Sequence, residues 1–174
     1  MINFHKKINN FITISVYKIY IFVSIKLTDM NLNGDIVIIE DDFEDREILE
    51  EVFTTVIEKN DYSNNLVLFD NGEDAIKFLR ESRESPFLIV SDINMPRYDG
   101  FQIRQVIFDN QELRDKCVPY IFLTTSGDNS EFMKKAYSLS IQGYFTKPND
   151  YSDYEQLITD IVRYWKVAKI ANRI

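Results

Sequence analysis

From Asp35 onward, short unbroken apolar runs alternate with longer stretches in which apolar residues recur every three or four positions. Ile36–Ile39 is such a run, the pattern of a strand buried on both faces. Ile48, Leu49, Val52, Phe53, Val56 and Ile57 then form one helical stripe. Leu66–Phe69 reads as a second strand, and Asn71-Gly72 opens a helix carrying Ala75, Ile76 and Leu79. Residues 87–91 read as a third strand, followed by a loop over 92–100 and a helix with Ile103, Val106 and Ile107. Residues 120–123 make a fourth strand, and Asp128, with Glu131 behind it, is the expected N-cap of the next helix. Residues 143–145 are a fifth strand. Ser152 and Glu155 have capping-box spacing ahead of Leu157, Ile158, Ile161, Val162 and Trp165 on one face of the last helix.

Five strands alternating with five helices imply a parallel sheet covered by helices on both sides. In such a sheet, ligands bind beyond the carboxyl ends of the strands, where the strand order reverses. The residues just after each strand are therefore the candidates for chemistry. Strand one runs into Glu40-Asp41-Asp42, and strand three into Asp92 with Asn94, Met95 and Pro96 behind it. Strand four ends in Thr124-Thr125-Ser126, and strand five is followed by Thr146-Lys147-Pro148.

Composition narrows what these groups can do. A chain of 174 residues, 45% hydrophobic and 28% charged, can bury a full core as one domain. Its net charge of −8 argues against nucleic acid or an anionic membrane as a partner. The one cysteine, Cys117, excludes an internal disulfide or a Cys-based zinc site, reads as a packing residue, and suits a cytoplasmic protein. The one histidine, His5, lies outside the alternating region. Histidine triads and His-ligated metals are thereby excluded there, leaving carboxylates, hydroxyls, lysine and a hard cation.

Residues 1–33 differ from the rest. They lack Ala, Gly and Pro and carry a net charge of +3, which leaves −11 for the remainder. Residues 11–27 are apolar but short for a membrane span, and Lys18 interrupts them. We read 1–33 as an N-terminal extension, with Met30 the natural start and a weak membrane anchor in residues 1–29 the alternative, and 34–174 as the folded domain.

Crowded carboxylates repel unless a cation intervenes. Oxygen-only donors select a hard cation, and few carboxylates with waters suit Mg²⁺. A carboxylate beside such an ion is a competent nucleophile toward phosphorus, and a lysine and a hydroxyl can neutralise the phosphoryl oxygens.

Ile38-Ile39-Glu40-Asp41-Asp42, the segment from Ser91 and Asp92 to Asp99 and Gly100, Leu123-Thr124-Thr125-Ser126 and Gly143-Tyr144-Phe145-Thr146-Lys147-Pro148 together resemble the receiver domain of two-component response regulators. The resemblance implies a flavodoxin-like, doubly wound sheet of order 2-1-3-4-5. It implies that Asp92 is the phosphoacceptor, that Asp41 and Asp92 bind Mg²⁺ with a backbone carbonyl from Asn94, and that Glu40 acts through a water. Lys147 would pair with the phosphoryl oxygens, aimed by a cis peptide before Pro148. Thr124 would bond the phosphoryl group, Tyr144 would reorient with it, and Gly100 would allow the turn into the following helix. Three carboxylates follow strand one where the family often has two, so either Glu40 or Asp42 could partner Asp41. Asp42, Glu44 and Asp45 otherwise read as solvated acids of a helix start.

The implied phosphodonor is a sensor histidine kinase or a histidine phosphotransfer protein. With only one helix after strand five, the chain reads as a stand-alone receiver, not a turnover enzyme. Its output would be a downstream protein bound through the fourth helix, fifth strand and final helix. Two rivals are a phosphorylation-independent binding module and a haloacid-dehalogenase-like phosphatase. The latter needs an Asp two residues after its nucleophile, where this chain has Asn94.

Overall fold

The computed structural model describes residues 31–127 and 129–169. Residues 1–30 of the proposed extension, the anchor alternative and Asp128 as a cap lie outside the described residues. Strands β1 (Ile36–Ile39), β2 (Leu66–Phe69), β3 (Leu88–Ser91), β4 (Tyr120–Thr124) and β5 (Gly143–Thr146) form one sheet of order β2-β1-β3-β4-β5. Every pairing is parallel. The helices are α1 (Phe43–Lys59), α2 (Gly72–Glu81), α3 (Gly100–Asp109), α4 (Gln111–Lys116), α5 (Ser130–Ser138) and α6 (Tyr151–Val167).

Among the described residues, six helices replace the five expected. The extra one, α4, has six residues and one buried side chain, Leu113, too few to show an apolar stripe. What starts it is local: the Asn110 carboxamide accepts the Leu113 N–H at 2.9 Å. Two caps also move. Asn129 caps α5, accepting from the backbone N–H groups of Glu131 and Phe132 at 3.1 Å each. The last helix begins at Tyr151 after Asp150, so Ser152 lies inside its first turn and forms no capping box with Glu155. The spacing of a capping box recurs one turn inside many helices, and pattern alone does not tell the two apart.

Burial follows topology. β1, β3 and β4 are central and buried throughout, whereas the edge strand β2 is only half-buried. Alternate residues point to opposite faces. Val37, Ile39, Ile89, Tyr120 and Phe122 join a cluster with Ala75, Leu79, Ile103, Ile107, Leu113 and Ala136 from α2 to α5. Leu49, Val52, Phe53 and Val56 of α1 are buried too, but Ile48, at the margin of the expected stripe, is exposed. Cys117 is fully buried, as a packing residue should be. Arg104 of α3 is also buried; its guanidinium donates to the carbonyls of Leu139 and Ser140 at 2.9 Å and lies over the Tyr120 ring. It ties α3 to the turn that leads into β5. Among the described residues no helix is long and apolar enough to cross a membrane.

Candidate functional site

Parallel pairing in near-common register brings the carboxyl ends of β1, β3, β4 and β5 to one edge, and the order reverses beside β1. Glu40 and Asp41 leave β1 there and Asp92 leaves β3. Carboxylate oxygens of Glu40, Asp41 and Asp92 all lie within 4.8 Å of one another. Asp42 does not join them. It is the N-cap of α1, its side chain accepting the Asp45 N–H at 3.0 Å. Arg46 steadies the turn between strand and helix by donating to the Glu40 carbonyl at 2.9 Å and the Asp41 carbonyl at 3.3 Å.

Lys147 closes the site from β5. Its ammonium donates to Glu40 Oε2 at 2.7 Å and to Asp45 Oδ2 at 2.6 Å, and lies 3.9 Å from Asp92 Oδ1. Asp45 is therefore no solvated helix acid: the first turn of α1 turns it into the crevice. The peptide before Pro148 is not cis; the cis X-Pro bond among the described residues is Val118–Pro119. Lys147 is instead aimed by its own N–H, which donates to the Thr124 carbonyl at 2.9 Å, and by its two carboxylate partners.

Asp92 is buried, and its two oxygens differ. Oδ2 accepts the Asn94 N–H at 2.9 Å, while Oδ1 is buried with no hydrogen-bond partner. The Asn94 side chain crosses to β4, donating to Ser126 Oγ and, at 3.4 Å, to Thr124 Oγ1. Thr124 Oγ1, fully buried, also accepts the Ser126 N–H at 3.2 Å. Tyr144 is half-buried against the core cluster.

The charges strain one another. Burial raises the Glu40 carboxyl from 4.5 to about 7 although Lys147 pulls it down and Asp92 pushes it up. Burial likewise raises Asp41, with Asp92 adding to it. Burial alone would lower the Lys147 ammonium, but its bonds to Asp45 and Glu40 prevail and hold it above its usual range. The clustered carboxylates of Glu40, Asp41 and Asp92, of which Lys147 bonds only Glu40, form an oxygen-only donor set that a divalent cation would relieve.

Residues 36–159 match the family model of the response regulator receiver domain. The chain belongs to this family. The receiver is a phosphoacceptor of two-component signalling, which removes the phosphatase rival. It is 29% identical over 135 residues to the response regulator Rcp1 of Synechocystis, an alignment spanning 75% of this chain and 87% of Rcp1. The solved Mn²⁺-bound form of Rcp1 matches with a TM-score of 0.64 at 25% identity, over 79% of this chain and 98% of that one. The phosphorylated cyanobacterial phytochrome response regulator RcpA shares the fold, with a TM-score of 0.69 at 23% identity over 80% of this chain and 99% of its own.

Asp45 and Ser126 are the site residues that sequence reasoning passed over. No local spacing marks Asp45, because its partner Lys147 lies 102 positions away and only the fold brings the two together. Ser126 belongs to the strand-four motif, but nothing in its spacing marks it as the acceptor of the Asn94 side chain.

Proposed function

We propose that Asp92 is the phosphoacceptor and that the phosphoryl group comes from the phosphohistidine of a sensor histidine kinase or a histidine phosphotransfer protein. The observation that carries this reading is Asp92 Oδ1, buried and uncommitted 3.9 Å from Lys147. This oxygen forms the new O–P bond as the donor's P–N bond breaks, and the bonding pair returns to the imidazole nitrogen. Oδ2 stays on the Asn94 N–H, which fixes the carboxylate plane. Lys147 turns a donor to the phosphoryl oxygens, and Thr124 Oγ1, already at the crevice, supplies a hydroxyl.

Glu40, Asp41, Asp92 and the Asn94 carbonyl are the residues to hold Mg²⁺, which when bound neutralises charge on the transferring group. Asp42, occupied as a helix cap, is the weaker candidate to partner Asp41. Thr124 and Tyr144 form the switch, biasing two conformations of the output face. The downstream protein would bind on α5, β5 and α6, where Tyr137 and Tyr164 are exposed and Phe145, Leu157 and Trp165 line a groove. In this reading the chain acts in the cytoplasm, turns over no external substrate, and folds as a receiver over 34–174 with 1–33 as an extension.

Incubation with acetyl phosphate tests the reading. One phosphoryl group should appear by intact mass with Mg²⁺ present, and none with a chelator or in Asp92→Asn. Failure of the wild type to gain a phosphoryl group, with Asp92→Asn behaving the same way, would favour the phosphorylation-independent module.

A further inference from the structure

Lys147 has three N–H donors, and this chain commits two of them to carboxylates. Glu40 holds one from β1 and Asp45 the other from α1, at 2.7 and 2.6 Å. The third nearby carboxylate, Asp92, stands off at 3.9 Å with Oδ1 unbonded. An ammonium next to a buried carboxylate oxygen lacking a partner would ordinarily close on it. Here the ammonium stays off that oxygen while it is bonded to both Glu40 and Asp45. Asp45 itself is fixed, since its own N–H is bonded to the Asp42 cap in the first turn of α1.

We propose that Asp45 is a positioning residue for phosphoryl transfer: by retaining Lys147 it keeps the ammonium off Asp92 Oδ1 and leaves that oxygen free to attack. The inference rests on the reading of Asp92 as nucleophile and adds a residue to it. Without the Asp45 charge, Lys147 pairs directly with Asp92, which blunts the nucleophile and occupies the line of approach. On transfer, the ammonium moves from Asp45 toward the phosphoryl oxygens, so the same carboxylate also opposes Lys147 in the phosphorylated state.

Asp45→Asn preserves shape and removes the charge, and its one-third-exposed side chain lets the variant fold. With acetyl phosphate and Mg²⁺, it should be phosphorylated three- to tenfold more slowly, roughly the size of a coupling between directly paired groups. Asp45→Glu should regain most of the rate. In a Lys147→Gln background, adding Asp45→Asn should slow transfer no further. A second readout is independent of transfer: in metal-free, ¹⁵N-labelled protein, Lys147 ammonium protons should exchange with water faster in Asp45→Asn than in wild type. The proposal is overturned if wild type is phosphorylated and Asp45→Asn matches its rate, or slows the Lys147→Gln protein equally. Absence of phosphate on wild type would overturn the reading of Asp92 instead, and the exchange measurement would then decide the role of Asp45.

Discussion

Gly100→Ala is expected to lower stability by about 3 kcal/mol, at the upper end of overpacking in a tight interior. A methyl group there would sit 2.1 Å from the Asp92 carbonyl oxygen, 2.9 Å from Ile93 Cα and 3.0 Å from the Phe122 ring. The backbone has little room to retreat. The Gly100 N–H is bonded to the Ile93 carbonyl at 3.0 Å, and the Asp92 carbonyl accepts from Ser91 Oγ at 2.8 Å. The displaced segment carries the nucleophile, so phosphorylation should fall with stability. Gly127→Ala is the contrast: nothing lies within 4 Å, and only its positive φ opposes a side chain, at about 1 kcal/mol. Thermal denaturation of the two variants checks the order. Equal melting temperatures would show that the 92–100 loop yields easily.

Lys147→Met should cost a further large amount, about 3–4 kcal/mol in metal-free protein near pH 8, as expected when a buried pair loses one member. The Lys147 and Glu40 side chains are 4% and 2% exposed, so water cannot replace the lost ammonium. The sign of the pH dependence follows from Glu40. Its carboxyl titrates near 7 in the fold against 4.5 when unfolded, so between those values the native state holds more protons and stability falls as pH rises. That contribution is present below about pH 4.5 and gone above about pH 7. Without Lys147 the same carboxyl is raised further, so the variant's deficit should be largest above pH 7 and shrink toward pH 5. Urea denaturation in a chelator at both pH values measures it, and equal deficits would contradict the account. Added Mg²⁺ should recover part of the loss by binding only the folded state.

The sheet was legible in the sequence because its central strands β1, β3 and β4 are buried throughout and so appear as apolar runs. The strand ends were legible for the same reason, since a charged residue closing such a run must lie at the sheet's edge. What escaped notice depended on geometry that spacing does not encode. Helix α4 rests on one capping Asn110 and one buried Leu113, below the threshold of any periodic pattern. The choice between Glu40 and Asp42 turned on which residue begins α1, and a one-place shift looks identical in sequence. Asp45 sat in an acidic helix start, where solvated carboxylates are common, and only the fold carries Lys147 across 102 positions to meet it. Buried Arg104 escaped similarly, because its partners are carbonyls of the distant 139–140 turn.

The identity of the carboxylate that carries the phosphate is open to direct measurement. Phosphorylating the protein with acetyl phosphate and Mg²⁺, then reducing it with borohydride, converts an aspartyl phosphate to homoserine, which peptide mass spectrometry can place. Homoserine at position 92 alone is the predicted result. Homoserine at position 41, 42 or 45, or full phosphorylation with none at 92, would contradict it.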